Sequence, residues 1–191
     1  RLILDVGVRP SEATISWENL SSINRKLLDP VSKRYVFIPD PKAILVEGVD
    51  RDLEVSIPLH PDHPEWGSRR FNIGPDSRII VPSSDLIGEK RIRYLRLMNL
   101  FNIEVTSDGG CRFHSEGVAE ARSLGAPIIQ WLPEGAGVPI SVVRPDASKE
   151  SGLVDSGVLN EDLPQTFQFY RYGFVRVCRS GGVLRGYFAH N

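Results

Sequence analysis

One predicted strand face carries a guanidinium beside an aromatic ring and a thioether. Along residues 93–98 the leucines alternate with Tyr94, Arg96 and Met98, so these three side chains share one side of a strand. Unstacked RNA bases pack on aromatic rings and form hydrogen bonds with arginine. The pattern therefore suits the binding of unpaired bases, although an ordinary amphipathic strand shows the same alternation.

A second segment offers a similar set of groups. Along residues 166–171 two phenylalanines point to one face and Gln168 and Tyr170 to the other, and Arg171 follows. Gln168 and Arg171 are three residues apart, so they reach one site only if the strand ends or bulges between them.

The charges are unevenly distributed along the chain. The net charge is −1, from 23 basic and 24 acidic residues, and 18 of the basic residues are arginines. Three blocks are basic, with +3 over 20–37, +4 over 66–103 and +4 over 166–191, and acidic segments offset them. If the blocks converge in space they form a local anion site on a neutral protein, and otherwise they solvate separate faces.

The composition is that of a globular domain, with 41% hydrophobic residues. No apolar run approaches the roughly 20 residues of a membrane helix. Two cysteines, Cys111 and Cys178, fit a reducing compartment, and we expect a cytoplasmic protein that binds neither membrane nor metal.

The run His60–Arg70 is the strongest alternative for catalysis. His60 and His63, with Cys111 and His114, could form a zinc site and support a metal-dependent hydrolase. The prolines of the run hold it extended, so a rigid loop fixed by its own polar groups is the favoured interpretation.

The elements that would position these residues are mostly strands. A helix is predicted over 17–28, with Ser16 as its N-cap, and a shorter one over 116–124, capped by Ser115. The segment 145–164 reads as a loop or a crossing between barrels. Predicted strands lie near 34–38, 42–49, 53–59, 69–73, 78–81, 92–98, 100–106, 127–132, 138–144, 166–171, 174–179 and 183–188. We therefore expect a mainly β fold of two antiparallel β-barrels with a short N-terminal helical tail.

Several segments, in order, resemble the C-terminal anticodon-binding region of archaeal-type glutamyl-tRNA synthetases, which are related to glutaminyl-tRNA synthetases. The segments are Ile15–Asn19, Asn24–Pro30, His60–Arg70, Leu95–Asn102, Ala126–Trp131 and Phe167–Phe169. The resemblance implies that residues 1–33 are the tail of the catalytic and stem-contacting region, and that 34–191 form two barrels that grip the anticodon loop. It also implies a parent ligase that uses ATP and magnesium outside this fragment, which would be inactive alone and hold no cofactor.

The resemblance also assigns residues to the anticodon bases. Its base-reading positions fall on Arg34, Arg96, Gln168 and Arg171, while Met98 stands where the related enzymes have a second arginine. Further candidates for tRNA contact are Tyr94, Met98, Lys90, Arg91 and Tyr170. The implied partner is the tRNA for glutamate, and the sequence leaves open whether the parent also charges the tRNA for glutamine. The alternatives are the same region of a glutaminyl-tRNA synthetase, or a non-catalytic barrel that docks proteins.

Overall fold

The computed structural model describes residues 16–86 and 93–191, so the candidates Lys90 and Arg91 lie outside the described residues. Its first element is helix α1, Trp17–Leu28, whose start is set by the Ser16 hydroxyl accepting the Asn19 amide at 3.2 Å. A 3-10 turn at Asp29–Val31 ends it, as Pro30 requires. The predicted first helix is confirmed. No helix within the described residues is long and apolar enough to cross a membrane.

The rest of the described chain is mainly β. Its strands are β1 (Arg34–Tyr35), β2 (Phe37–Pro39), β3 (Pro41–Glu47), β4 (Leu53–Pro58), β5 (Ser68–Ile73), β6 (Arg78–Pro82), β7 (Arg93–Leu97), β8 (Asn102–Val105), β9 (Cys111–Ser115), β10 (Ile128–Ile129), β11 (Leu132–Pro133), β12 (Gly137–Val143), β13 (Lys149–Asp155), β14 (Gln165–Phe169), β15 (Gly173–Ser180) and β16 (Val183–His190). Short helices lie at α2 (Ser83–Leu86) and α3 (Val118–Ser123), with 3-10 turns at Pro64–Trp66 and Ser156–Asn160.

These strands form two sheets and a hairpin. The first sheet has the order β1-β14-β15-β16-β12-β13-β2, the second has the order β10-β7-β8-β9-β3-β6-β11, and β4 pairs with β5. The chain leaves the first sheet after β2, builds the hairpin and the second sheet, and returns at β12. The first sheet is therefore made of strands distant in sequence.

The prediction of purely antiparallel sheets is wrong. The pairs β1–β14, β12–β16, β3–β9 and β7–β10 are parallel. Each joins strands separated by a long stretch of chain rather than by a hairpin turn, and such pairs are free to run parallel.

Two further expectations need correction. The segment 145–164 is not simply a loop or a crossing, because it contains β13 and a 3-10 turn. Ser115 does not cap the second helix, which begins at Val118 after Gly117. The Ser115 hydroxyl instead accepts an amide proton of Asn102, at 2.9 Å.

A small shared core joins the two sheets. Val36 and Ile38 of the β1–β2 segment pack with Ile80 of β6 and Leu132 of β11, and all four are at most 8% exposed. Burying aliphatic side chains of this size contributes about 1.5–3 kcal/mol each. Each sheet also has a larger hydrophobic core of its own. The β4–β5 hairpin packs against the core of the second sheet.

Candidate nucleic-acid interface

Arg34 and Gln168 lie opposite each other on neighbouring strands. Strands β1 and β14 run parallel with Arg34 in register with Gln168, so their side chains share one face. The backbone N–H of Gln168 donates to the Lys33 carbonyl at 3.1 Å, which fixes the register of the two strands. The structure thus brings together two candidate residues from distant parts of the sequence.

The pair presents an unused donor and an unused acceptor. A terminal nitrogen of the Arg34 guanidinium binds Asp29 Oδ1 at 3.1 Å. Arg34 Nε and Gln168 Oε1 are buried and have no hydrogen-bond partner. Buried polar groups are nearly always paired with a hydrogen-bond partner. A neighbouring donor and acceptor that both lack a partner therefore suit a ligand with a complementary polar edge. A nucleobase edge has that form.

Tyr170 and Arg171 lie at the turn that follows β14. The strand ends at Phe169, and Arg171 has a left-handed backbone with φ of 55°. This turn is the break in the strand that Gln168 and Arg171 need to reach a common site. The Tyr170 hydroxyl donates to the Pro58 carbonyl at 3.3 Å, and burial raises the pKa of Tyr170.

The nearby charges show which arginines surround Tyr170. The positive charges of Arg69 and Arg34 oppose the effect of burial on the pKa of Tyr170, so both act on this ring, and Arg171 follows it in the chain. Each of these arginines comes from a different basic block. One arginine of each block therefore lies near Tyr170, and in the block 66–103 that arginine is Arg69.

Glu161 holds both neighbours of Arg34. The Lys33 ammonium lies 2.8 Å from both carboxylate oxygens of Glu161, and the Tyr35 hydroxyl donates to one of them at 2.6 Å. Burial and this carboxylate both raise the pKa of Tyr35. The backbone that carries Arg34 is therefore fixed on both sides.

Arg69 is a buried residue that the sequence reasoning missed. It is 9% exposed, forms an ion pair with Asp155, and lies over the Tyr35 ring at 5.3 Å from its centre. The alternation along β5 places Arg69 on the buried side of the strand with Ile73. This alternation is the sequence signal that could have identified Arg69 as a buried arginine. Its partner Asp155 falls in the segment that read as a loop, so the pair was not foreseen.

Arg96 lies inside the second sheet. It is 8% exposed, and one guanidinium nitrogen donates to Asn102 Oδ1 at 2.9 Å and to the Glu116 carbonyl at 3.0 Å. Asn102 in turn donates to the Gly117 carbonyl at 2.8 Å. The chain before α3 thus covers Arg96, whereas Tyr94 and Met98 on the same strand face are partly exposed.

The other candidates of this strand also have internal contacts. Tyr94 packs edge-on against the His114 ring, with centres 4.9 Å apart. Met98 is partly buried against the second-sheet core and the shared core. Its carbonyl accepts the indole N–H of Trp131 at 2.8 Å. The roles of these residues in tRNA binding remain predictions.

The histidine-rich run forms a loop held by its own contacts. His63 stacks on Trp66 with ring centres 4.1 Å apart, and His60 lies near both rings. His60 Nδ1 accepts the Asp62 amide at 3.1 Å, so Nε2 carries the proton that reaches the Asp29 carbonyl at 2.9 Å. Since Asp29 pairs with Arg34, this loop supports the candidate site.

The zinc hypothesis finds no support in this arrangement. His114 packs on Tyr94 in the second sheet, whereas His60 and His63 pack with Trp66. Within residues 16–86 and 93–191, no group of three or more His, Cys, Asp or Glu side chains could hold a metal ion.

Comparison with known proteins identifies the family of the chain. Residues 32–115 and 128–178 match two family models, both described as the anti-codon binding domain of class I tRNA synthetases (E and Q). Together the matched ranges cover more than half of the chain. The chain belongs to this family. The resemblance found in the sequence is confirmed.

Curated relatives in this family are glutamate–tRNA ligases of archaea. The ligase of Methanothermobacter thermautotrophicus is 34% identical over 190 residues, which are 100% of this chain and 33% of the relative. That of Pyrococcus abyssi is 40% identical over 188 residues, covering 95% and 32%. That of Methanopyrus kandleri is 38% identical over 198 residues, covering 99% and 34%. The chain thus spans about a third of the length of these relatives.

Proposed function

We propose that the chain binds unpaired anticodon bases of the tRNA for glutamate, as the anticodon-binding part of a glutamate–tRNA ligase. The observation that carries the proposal is a pair of opposed atoms without hydrogen-bond partners, Arg34 Nε and Gln168 Oε1. The family membership and the names of the relatives support it.

The proposed mechanism is recognition of a base splayed out of the loop. Arg34 donates to an acceptor on the base edge, and Gln168 accepts from a neighbouring N–H. Uridine, the middle anticodon base of the tRNAs for glutamate and glutamine, offers this combination. Tyr170 provides a ring beside the base, and Arg171 adds positive charge for the phosphate backbone.

The parent protein belongs to the same proposal. It would attach glutamate to tRNA using ATP and magnesium in a catalytic region outside this chain, in the cytoplasm. Residues 1–33 would be the tail of that region, and 34–191 the anticodon-binding part. We also propose that each sheet closes into a barrel, since its two end strands are close in the chain. One residue separates β1 from β2 in the first sheet, and two residues separate β10 from β11 in the second.

The experiment is titration of the chain with a synthetic anticodon stem-loop of the glutamate tRNA at several salt concentrations. Arg34→Ala is expected to weaken binding by about 1–3 kcal/mol. The matched control is Arg176→Ala, because Arg176 is an exposed arginine of β15 in the same sheet. Equal affinities of wild type and Arg34→Ala would overturn the assignment.

A glutamine stem-loop, measured in the same series, distinguishes the two specificities that the family description covers. Tighter binding of the glutamate stem-loop supports a glutamate-specific parent. Tighter binding of the glutamine stem-loop favours a glutaminyl-tRNA synthetase instead. If neither RNA binds, the non-catalytic protein-docking alternative is favoured.

A further inference from the structure

The chain that follows β4 reaches the candidate site at two consecutive residues. The Leu59 carbonyl accepts the backbone N–H of Arg34 at 2.7 Å. The next residue, His60, is 1% exposed, and its Nε2 atom lies 2.9 Å from the Asp29 carbonyl oxygen. Asp29 Oδ1 in turn pairs with the Arg34 guanidinium at 3.1 Å. These four residues form a closed ring of contacts that holds both the backbone and the side chain of Arg34.

The His60 ring is fixed at both of its nitrogens. Nδ1 accepts the backbone N–H of Asp62 at 3.1 Å, so Nε2 carries the hydrogen that is donated to the Asp29 carbonyl. The ring lies edge-on to Trp66, with centres 5.2 Å apart. A buried ring with both nitrogens bonded inside the protein has no polar group left for a ligand. Any effect of His60 on RNA binding therefore passes through its neighbours.

Asp29 needs such an anchor because it stands at the end of a helix. It is the C-cap of α1. Backbone carbonyls at the end of a helix lack partners within the helix, and side chains or water supply the missing donors. His60 is the donor for the Asp29 carbonyl. The side chain of Asp29 is 42% exposed, so the orientation of its carboxylate depends on the backbone position that His60 fixes.

We propose that His60 is a positioning residue for RNA recognition, which directs the Arg34 guanidinium through Asp29. The His60–Asp29 bond holds the backbone from which the carboxylate extends, and the carboxylate holds a terminal nitrogen of Arg34. Arg34 Nε is thereby kept without a partner beside Gln168. The inference rests on the proposed function and deepens it, because it adds a residue that the RNA does not touch.

The test replaces the His60 ring by amide side chains that keep one of its two bonds each. His60→Gln places an amide near Nε2 and keeps a donor for the Asp29 carbonyl. His60→Asn places an amide near Nδ1, keeps an acceptor for the Asp62 N–H and leaves that carbonyl without its donor. The two variants lose one hydrogen bond each, so they are matched for stability, which urea unfolding checks.

Both variants are titrated with the anticodon stem-loop of the glutamate tRNA. We expect His60→Asn to weaken binding about 5- to 10-fold and His60→Gln to bind within about twofold of wild type. Equal losses in the two variants would mean that His60 serves only the stability of its loop, and would overturn the proposal.

A variant at the partly exposed Asp29 guards against misfolding at the buried His60. Asp29→Asn keeps the backbone carbonyl and removes the carboxylate charge, a change that by itself favours RNA. We nevertheless expect binding to weaken several-fold, because Arg34 loses its anchor. In Arg34→Ala, where no guanidinium remains to be positioned, His60→Asn should have less than about a twofold effect. Unchanged affinity in Asp29→Asn, or an undiminished loss in the Arg34→Ala background, would refute the positioning role.

The outcomes also separate this inference from the proposed function. If the stem-loop binds and Arg34→Ala weakens it, while His60→Asn and Asp29→Asn do not, the positioning role is refuted and the base-reading pair stands. If wild type fails to bind the stem-loop, the proposed function fails, and the inference with it.

Discussion

Arg34 and Arg96 are both strand arginines selected by the same family resemblance, but their surroundings differ. Arg34 is held through a terminal nitrogen by Asp29, and its Nε atom stays open beside Gln168. A single nitrogen of Arg96 bonds to both Asn102 and the Glu116 carbonyl, within a buried network. The first arrangement leaves a buried nitrogen unpaired beside the Gln168 acceptor, whereas the second uses one nitrogen of Arg96 to tie β7 to Asn102 and to the chain before α3.

The difference shows that the type and position of an arginine do not settle its role. A guanidinium with an open nitrogen, next to an open acceptor, is prepared for a ligand. A guanidinium that links a strand to the segment before a helix contributes mainly to the stability of the fold. The comparison therefore predicts that loss of Arg34 affects RNA binding and loss of Arg96 affects folding.

The largest expected effect is on the stability of the second sheet. Arg96→Met leaves Asn102 Oδ1 and the Glu116 carbonyl without their donor, so we expect the free energy of unfolding to fall by about 3 kcal/mol. Urea unfolding measures this loss. The control is Arg112→Met, because Arg112 is exposed on β9 of the same sheet and its ion pair with Glu47 is worth at most about 1 kcal/mol. Unchanged stability with lost RNA binding would make Arg96 a base reader after all.

The second effect concerns RNA affinity. Arg34→Lys keeps the positive charge but removes the planar donor group, so we expect binding of the stem-loop to weaken by about 1–2 kcal/mol. The salt dependence should stay nearly constant, because it reports phosphate contacts. Stability should change by less than about 1 kcal/mol, since the Asp29 partner is partly exposed. A reduced salt slope with little loss of affinity would instead place Arg34 on a phosphate.

Sequence patterns were sufficient for the first helix and for most strands of both sheets. Ser16, the apolar spacing and Pro30 fix α1 through local interactions, and alternation along 53–59 fixes β4. They also brought Gln168 into the candidate set. These features depend on local geometry, which the sequence carries directly.

The missed features depend on contacts between distant segments. The parallel pairing of β1 with β14 has no local signal, so the meeting of Arg34 and Gln168 could only be supposed from the resemblance. Likewise, the exposure of Arg96 depends on where the chain before α3 packs. Gln130 appeared only as part of an apolar strand, because its unpaired oxygen is a property of the assembled junction.

A smaller effect tests the support beneath Arg34. Tyr35→Phe removes the donor to Glu161 without changing the packing of the ring, and we expect a loss of stability of about 1 kcal/mol by urea unfolding. RNA affinity should fall less than in Arg34→Lys, because Lys33 still holds the same carboxylate. An affinity loss as large as that of Arg34→Lys would show that the Tyr35–Glu161 bond, and not the guanidinium shape, limits recognition.

The smallest effect depends on pH and concerns Asp85. Burial raises the pKa of Asp85, and Arg171 and Arg93 only partly oppose this. Compared with the unfolded chain, the folded chain therefore favours the protonated form more. Its contribution to stability is present below the usual aspartate pKa and is lost as the pH rises through the raised pKa. Asp85→Asn, which imitates the protonated group, should be more stable than wild type at pH 7 by less than about 1 kcal/mol. Urea unfolding over decreasing pH should show this difference shrinking through the carboxylate range. A difference that grows toward acid would mean that the arginines, rather than burial, dominate the pKa of Asp85.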